Sequence, residues 1–275
     1  MSDKPQPIVI CAQQRSGTTV LQENLGQSPL VTNFSEVFHD REEISPVNYL
    51  LYRIELFRKH PELSFPTPEN QQTLFERYLD YLDKRCSTPF YVMDIKYNSW
   101  HHFDPLWHGL FARPALIGII RSLGSPIIHV IRRNVFQQHV STRFAEQTQT
   151  WHYQSKDDKQ PEEIAIRLDP AQCQYGMEMS QRRTKQFRAW FHGHDKYTEL
   201  VYEDMFEDGA FAESALNQIN GLVGVDLQIP AQPRLKKVLK SVSKVIENQD
   251  EILRHFEGTP FEHMVFSSLR SSVSA

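Results

Sequence analysis

The chain has 275 residues, of which 40% are hydrophobic and 23% charged, and its formal net charge is −4. This composition is that of an ordinary globular protein large enough to bury a full core. The slightly acidic balance gives no general attraction for nucleic acid or anionic membranes, so a bound anion needs a local cluster of donors. No apolar run reaches the ~18–20 residues that span a bilayer, and we expect no membrane span.

The cysteine pattern bears on the cellular compartment. Cys11, Cys86 and Cys173 are three in number and far apart along the chain. Such spacing argues against a disulfide framework or a zinc cluster and is typical of a reducing environment. The N-terminal residues also lack the apolar core of a secretory signal. We therefore expect a cytoplasmic protein.

The N-terminal segment predicts a strand, a tight turn and a helix in succession. Ile8 to Ile10 form a short β-branched run, which is typical of a strand buried on both faces. A polar segment with a glycine, 13–17, follows, and apolar residues recur at helical spacing from Thr18. The N–H groups at such a helix start attract an anion. The alternative is an ordinary strand-to-helix turn.

This turn differs from the phosphate-binding loop of proteins that hydrolyse nucleoside triphosphates. Such a loop ends in Gly-Lys followed by Ser or Thr, whereas Gly17 is followed by Thr18 and Thr19. A cation, Arg15, stands two residues before the glycine instead. A helix N-terminus alone stabilises an anion by only about 0.3–1 kcal/mol. We therefore predict an anion site that recruits further charges and does not hydrolyse a triphosphate.

The remaining elements alternate between strands and helices along the chain. Strands are predicted at 90–98, 126–132 and 199–202, with a short extended segment at 31–34. Helices are predicted at 47–58, 71–85, 114–123, 134–148, 171–192 and 211–221. The alternation predicts an α/β fold, a P-loop-like parallel sheet with helices on both faces, in a single domain over 1–275. A mainly helical insertion occupies about 40–88, and an exposed loop at 152–170 could act as a lid.

A second candidate anion site follows the strand predicted at 126–132. Arg132 and Arg133 end this strand, and Ser141 follows eight residues after Arg133. An arginine at a strand end can present its planar fork to a phosphate. The loops after Ala12, Lys96 and Arg132 are expected to open onto one crevice at the carboxyl ends of the strands. The alternative is a surface arginine pair in salt bridges with nearby acids.

Taken together, these two segments resemble the sulfotransferases that use 3′-phosphoadenosine 5′-phosphosulfate (PAPS). In that family the first loop holds the 5′-phosphosulfate, and an Arg…Ser pair holds the 3′-phosphate. The resemblance implies the first role for residues 15–19, which are Arg15, Ser16, Gly17, Thr18 and Thr19. It implies the second role for Arg133 and Ser141. The C-terminal Arg-Lys-Gly segment of the animal enzymes is missing, which leaves Arg132 or Arg143 as helpers.

Other segments extend the resemblance. Leu200–Met205 is similar to a family strand end whose tyrosine lies near the adenine, which implies this role for Tyr202. Phe144–His152 is similar to the corresponding segment of bacterial carbohydrate sulfotransferases, such as those acting on trehalose or nodulation factors. The fold implied is the sulfotransferase fold.

The chemistry of sulfuryl transfer requires a general base and groups that neutralise developing charge. The resemblance implies that Glu36 is the base, with His39 as the alternative. It implies that Lys96 touches the leaving group, and Arg15 of the first loop is the third candidate catalytic residue. Animal members carry a base histidine two residues after this lysine, but Asn98 stands there, which favours Glu36. No metal is expected in this scheme.

Three tryptophans and several histidines lie near the predicted site. Trp100, Trp107 and Trp151 could stack on a sugar or could belong to the core. The neighbouring histidines (His101, His102 and His108) are not expected to form a metal site, because adjacent side chains on an extended chain point apart.

The predicted function is transfer of a sulfuryl group from PAPS to a hydroxyl or amine of a carbohydrate or small natural-product acceptor, with no nucleic-acid partner. Two alternatives stay open. One is a P-loop-type kinase of a small molecule, against which Thr18 in the lysine position argues. The other is a non-catalytic protein that binds an adenine nucleotide.

Overall fold

The computed structural model describes residues 4–103, 113–148, 164–235 and 241–270. Within these residues, five parallel strands form a central sheet in the order β2-β3-β1-β4-β5. The strands are β1 (Gln6–Ala12), β2 (Val31–Asn33), β3 (Phe90–Lys96), β4 (Ile127–Ile131) and β5 (Tyr197–Val201). A short antiparallel pair, β6 (Phe206–Glu207) and β7 (Ala210–Phe211), follows the sheet.

Helices cover both faces of this sheet. They are α1 (Thr18–Leu25), α2 (Tyr49–Lys59), α3 (Pro68–Asp83), α4 (Ala115–Ser122), α5 (Val135–Thr148), α6 (Pro170–Phe191), α7 (Glu213–Val223), α8 (Gln249–Phe256) and α9 (Glu262–Arg270). None of the described helices has the length and apolar character needed to cross a membrane.

Strand β1 packs against a separate apolar cluster on each face of the sheet. Successive side chains of a strand point to opposite faces, and all five residues from Ile8 to Ala12 are fully buried. Val9 and Cys11 pack in the cluster that includes residues of α3, α4 and α6. Ile8 and Ile10 pack in the opposite cluster, with residues of α1 and α7. A third cluster joins α5 and α6 to α8 and α9.

The strand register brings the candidate site together. Ala12, the last residue of β1, pairs with Lys96 on one side and with Val130 on the other. The three central strands therefore end at one edge of the sheet, and the loops that follow them share that edge. This is the place at which parallel α/β sheets bind their ligands.

The predicted α/β class, a parallel sheet with helices on both faces, is confirmed, and the boundaries of the listed strands and helices differ by at most three residues. Helices α2 and α3 fall in the predicted insertion at about 40–88. Part of the predicted lid is instead packed: Ile166 and Leu168 are buried, and Ile166 forms a parallel bridge with Ile246. The rest of that segment, 152–163, lies outside the described residues. Helices α8 and α9 were not resolved from the sequence.

Candidate active site

The turn between β1 and α1 has a left-handed backbone at two residues. Arg15 has a φ of 61° and Gly17 a φ of 85°, a conformation that glycine adopts without strain. A Cβ atom at Gly17 would lie 2.3 Å from Cδ2 of Tyr202, so a side chain here would collide with that ring. The turn therefore requires glycine for two reasons, and Tyr202 packs directly against it.

Helix α5 contacts the same turn through Gln138. The Gln138 amide donates hydrogen bonds to the Gln14 carbonyl (3.0 Å) and to the Ser16 hydroxyl (2.8 Å). Its own oxygen accepts a hydrogen bond from Ser180 of α6 (2.8 Å). The sequence analysis missed Gln138. The signal that could have found it is a buried amide among the apolar residues of a predicted helix, because such a group needs partners.

Two arginines and a serine meet beside the turn. The Arg15 guanidinium donates to the Ser141 hydroxyl (3.1 Å), and Arg132 donates to the Arg15 carbonyl (3.0 Å). Arg132 also lies over the Tyr202 ring, 4.8 Å from its centroid. Burial, and then the neighbouring charge of Arg132, lowers the pKa of Arg15. Two crowded positive charges of this kind are stabilised by a bound anion.

Arg132 is buried and incompletely satisfied. Within the described residues its Nε–H finds no hydrogen-bond acceptor, and the Glu203 carboxylate lies 4.0 Å away. A buried guanidinium N–H without an acceptor is costly unless a ligand supplies one. Arg132 was predicted as a helper, and the structure places it at the turn itself.

Arg133 lies at the same sheet edge but in other surroundings. Its guanidinium is 62% exposed and pairs with the Asp204 carboxylate at 2.5 Å. Its backbone N–H donates to Glu203. This matches the alternative interpretation, a surface arginine in a salt bridge. The other predicted helper, Arg143, likewise forms an exposed pair with Glu146 at 2.8 Å.

A second cluster of charged groups lies at the end of β3. The Lys96 ammonium donates to the Thr18 hydroxyl (2.6 Å), contacts Glu36 Oε1 (2.9 Å) and donates to the Asp94 carboxylate. Lys96 is 5% and the Glu36 side chain 15% exposed, and Asp94 is fully buried. Thr18, the first residue of α1, therefore links this cluster to the glycine turn.

Asp94 was not predicted as a site residue. The sequence does contain a signal for it: Asp94 stands among apolar residues of a predicted buried strand. A buried acid is rare unless it is paired, so a charged partner could have been expected. Burial, opposed by Lys96, raises the pKa of Asp94 to about 6.

The alternative base, His39, lies next to the first choice. His39 Nε2 is 4.0 Å from Glu36 Oε2, and its Nδ1 accepts the backbone N–H of Arg41. The same Nδ1 lies 3.0 Å from the Asp40 carboxylate, while Nε2 faces Glu36. Both predicted base residues thus share one corner of the site with Lys96.

Trp100 belongs to the core. It is 1% exposed, its indole N–H donates to the Ile95 carbonyl (3.1 Å), and its ring packs against Phe187 and Phe191. Of the two possibilities left open for Trp100, stacking on a sugar or the core, the structure therefore shows the core. Trp107, Trp151 and His108 lie outside the described residues.

The arrangement can bind an anion and move a proton. The turn residues 15–19, Ser141 and Tyr202 meet at one edge, with Glu36 and Lys96 beside them. Arg133 stands apart in its surface ion pair. In the described part of the chain, no group of three His, Cys, Asp or Glu side chains converges to hold a metal ion.

Comparison with known proteins gives the family. None of the curated proteins matches this chain. Among solved structures, the sulfotransferase domain of the olefin synthase from Synechococcus PCC 7002 is 17% identical, with a TM-score of 0.37, and the match covers 81% of this chain and 74% of that one. The family model described as Stf0 sulphotransferase matches residues 7–244. The chain therefore belongs to the Stf0 sulphotransferase family, which confirms the family resemblance.

Proposed function

We propose that the protein transfers the sulfuryl group of PAPS to a hydroxyl or amine of a small acceptor. The observation that carries this proposal is the pair of buried guanidinium groups, Arg15 and Arg132, at the glycine turn. Burial lowers the pKa of both arginines, and a bound polyanion would stabilise their charged forms. A doubly phosphorylated nucleotide with a sulfonate supplies such an anion.

Each part of the donor has a proposed partner. The 5′-phosphosulfate is assigned to residues 15–19, which comprise the start of α1 and the Arg15 guanidinium. The 3′-phosphate is assigned to Ser141 and Arg133, with Arg132 as the helper. Arg132 donates to the Arg15 carbonyl, and Arg15 donates to Ser141. The adenine is assigned to the neighbourhood of Tyr202.

The transfer step is proposed to use Glu36 and Lys96. The acceptor oxygen or nitrogen forms a bond to sulfur as the bond from sulfur to the bridging phosphate oxygen breaks. Glu36 accepts the acceptor proton, and Lys96 neutralises the electron pair left on the bridging oxygen. The products are the sulfated acceptor and 3′-phosphoadenosine 5′-phosphate (PAP). As in phosphoryl transfer, positioning and electrostatics do most of the work.

The acceptor class rests on the resemblance to bacterial carbohydrate sulfotransferases. A carbohydrate or a small natural product is therefore the first choice for an acceptor screen.

The test compares thermal stabilisation by PAP and by ATP with Mg²⁺, followed by an acceptor screen with labelled sulfate in PAPS. We expect PAP to raise the melting temperature, since any ligand of the folded state stabilises it. Stabilisation by ATP with Mg²⁺ alone would overturn the proposal and favour the kinase. PAP binding without transfer to any acceptor in a broad panel would favour the non-catalytic nucleotide-binding protein.

A further inference from the structure

The Lys96 ammonium is buried, which creates an electrostatic problem. Only 5% of its side chain is exposed. A buried lysine without anionic partners loses its proton at pH values well below its ordinary pKa. A neutral amine could not offset negative charge on a leaving group. Some group must therefore keep this nitrogen charged.

Three oxygen acceptors surround the amine among the described residues, as many as its hydrogens. They belong to Asp94, Glu36 and Thr18. Asp94 lies two residues before Lys96 on β3, so both side chains leave the same face of a strand in the middle of the sheet. Glu36 follows β2 outside any strand and is partly exposed. Asp94 is therefore the rigid partner and Glu36 the accessible one.

The two carboxylates also differ in what they can do for an acceptor. Asp94 is fully buried, so an acceptor cannot reach it. Its Oδ1 accepts no hydrogen bond from any described residue. An incompletely satisfied buried carboxylate costs stability, and packing does not explain it.

We propose that Asp94 is a positioning residue: it keeps the Lys96 amine protonated and directed at Thr18 while Glu36 exchanges its contact with Lys96 for the proton of the acceptor. The contribution of this lysine to catalysis rests on the proposed function. Its charge state does not, and it can be measured without donor or acceptor.

The electrostatics agree with this assignment. Burial lowers the pKa of Lys96, but Asp94 and then Glu36 oppose burial, and the net effect raises it. The other titratable groups nearby are Cys11 on β1 and His39 beside Glu36. Burial raises the pKa of Cys11 well above its ordinary value, so this thiol stays neutral. The pKa of Asp94 is raised to about 6, so the carboxylate is ionised at neutral and alkaline pH, where it is needed.

The experiment follows the titration of Lys96 directly. Lysine is labelled with ¹³C at Cε, the Lys96 signal is identified by its loss in Lys96→Arg, and its shift is recorded against pH in the wild type and in Asp94→Asn. We expect the wild-type amine to stay protonated to at least the ordinary lysine pKa of about 10.4. We expect the midpoint in Asp94→Asn to fall by about 1–3 pH units, the size of the effect of an adjacent opposite charge.

A matched control removes an acid from an exposed lysine. Asp80 contacts Lys4 at 2.8 Å on the surface, so Asp80→Asn should leave the Lys96 titration unchanged. An unchanged midpoint in Asp94→Asn would overturn the proposal. If Asp94→Asn does not fold, the wild-type titration decides alone, because a midpoint below the ordinary lysine value would contradict the proposal.

Turnover gives an independent readout. The alkaline limb of the kcat/KM profile in Asp94→Asn should move to lower pH by the same amount as the Lys96 midpoint. A protein that shows the Lys96 shift but binds no PAP would refute the proposed function and leave the role of Asp94 intact. If the protein transfers sulfate but the Lys96 titration midpoint is the same in Asp94→Asn as in the wild type, the proposed function stands and the role of Asp94 is refuted.

Discussion

Arg132 and Arg133 follow one another along the chain but lie in different surroundings. Arg132 is buried and donates to the Arg15 carbonyl, whereas Arg133 is 62% exposed and pairs with Asp204. A ligand phosphate can contact Arg132 without breaking an existing hydrogen-bonded ion pair. Recruiting Arg133 requires the Asp204 pair to open.

We therefore expect both alanine variants to weaken PAP binding, and Arg132→Ala to have the larger effect. A hydrogen bond between charged groups contributes about 1.5–3 kcal/mol, so Arg132→Ala should raise the Kd about 10-fold to 150-fold. Titration calorimetry measures this. Adenosine 5′-phosphate is the control ligand, and equal losses for it and for PAP would count against a 3′-phosphate role. A larger loss in Arg133→Ala would show that the Asp204 pair opens on binding.

Glu36 and His39 are the two candidate bases, and their side chains lie 4.0 Å apart. We expect Glu36→Gln to lower kcat at least about 100-fold, because the amide keeps the size of the side chain but cannot accept the proton. Its Kd for PAP should stay within about threefold of the wild type, since proton transfer is not part of nucleotide binding. His39→Gln is the matched control. If it loses more turnover than Glu36→Gln, the base is His39.

At the scale of elements, the glycine turn depends on helices that follow it by more than a hundred residues. Gln138 of α5 bridges the turn to Ser180 of α6 through three hydrogen bonds. The shape of the turn is therefore set by the packing of α5 and α6 as well as by its own glycine.

Gln138→Ala should thus lower stability by about 1–3 kcal/mol and also weaken PAP binding, because the turn loses two of its donors. The control is Asn248→Ala. Asn248 is a buried amide that exchanges two hydrogen bonds with the backbone of Leu168 rather than with the glycine turn. Asn248→Ala should lower the free energy of unfolding in urea by about as much as Gln138→Ala. At temperatures where the variant is folded, its Kd for PAP should equal that of the wild type. Equal losses of affinity in both variants would mean that Gln138 acts through general stability alone.

At the scale of the whole molecule, a polar network crosses the core between the sheet and α6. His129 lies between the hydroxyls of Tyr97 (2.5 Å) and Tyr197 (2.6 Å), and Tyr197 donates to Glu199 (2.7 Å). Burial, opposed by Glu199, lowers the pKa of His129 to about 4. This histidine is therefore neutral in the folded protein above that pH.

The network predicts a loss of stability in mild acid. An unfolded histidine binds a proton below a pH of about 6.5, whereas folded His129 does so only near 4, so the unfolded state gains protons first as the pH falls. Between pH 7 and 5 this linkage should lower the free energy of unfolding by about 2 kcal/mol. Urea unfolding at both pH values measures it.

The control for this prediction compares two histidine variants. His129→Gln should lose about 2 kcal/mol less stability between pH 7 and 5 than the wild type, because only the contribution of partly buried His139, whose pKa is also lowered to about 4, persists from these two residues. Replacing the exposed His263 by Gln should leave the full dependence. An unchanged pH dependence in His129→Gln would contradict the prediction.

Several features follow from local sequence alone. The β-branched run of β1, the glycine turn and the start of α1 are adjacent in the chain, so residues 15–19 can be recognised without knowledge of any other element. The helical and strand periods likewise predict most elements to within a few residues. Helices α8 and α9 escape this approach because they are short and complete a core with distant α5 and α6.

What the sequence by itself determined is therefore the class of the fold, the glycine turn and the family resemblance. Tertiary structure decided which of two adjacent arginines is buried, which amide supports the turn and which carboxylates contact Lys96. The physical reason is that burial and charge pairing depend on the register of parallel strands: Ala12 lies opposite Lys96 only because β1 and β3 pair over their full length. No local pattern contains that alignment, because the two strands are separated by almost eighty residues of chain.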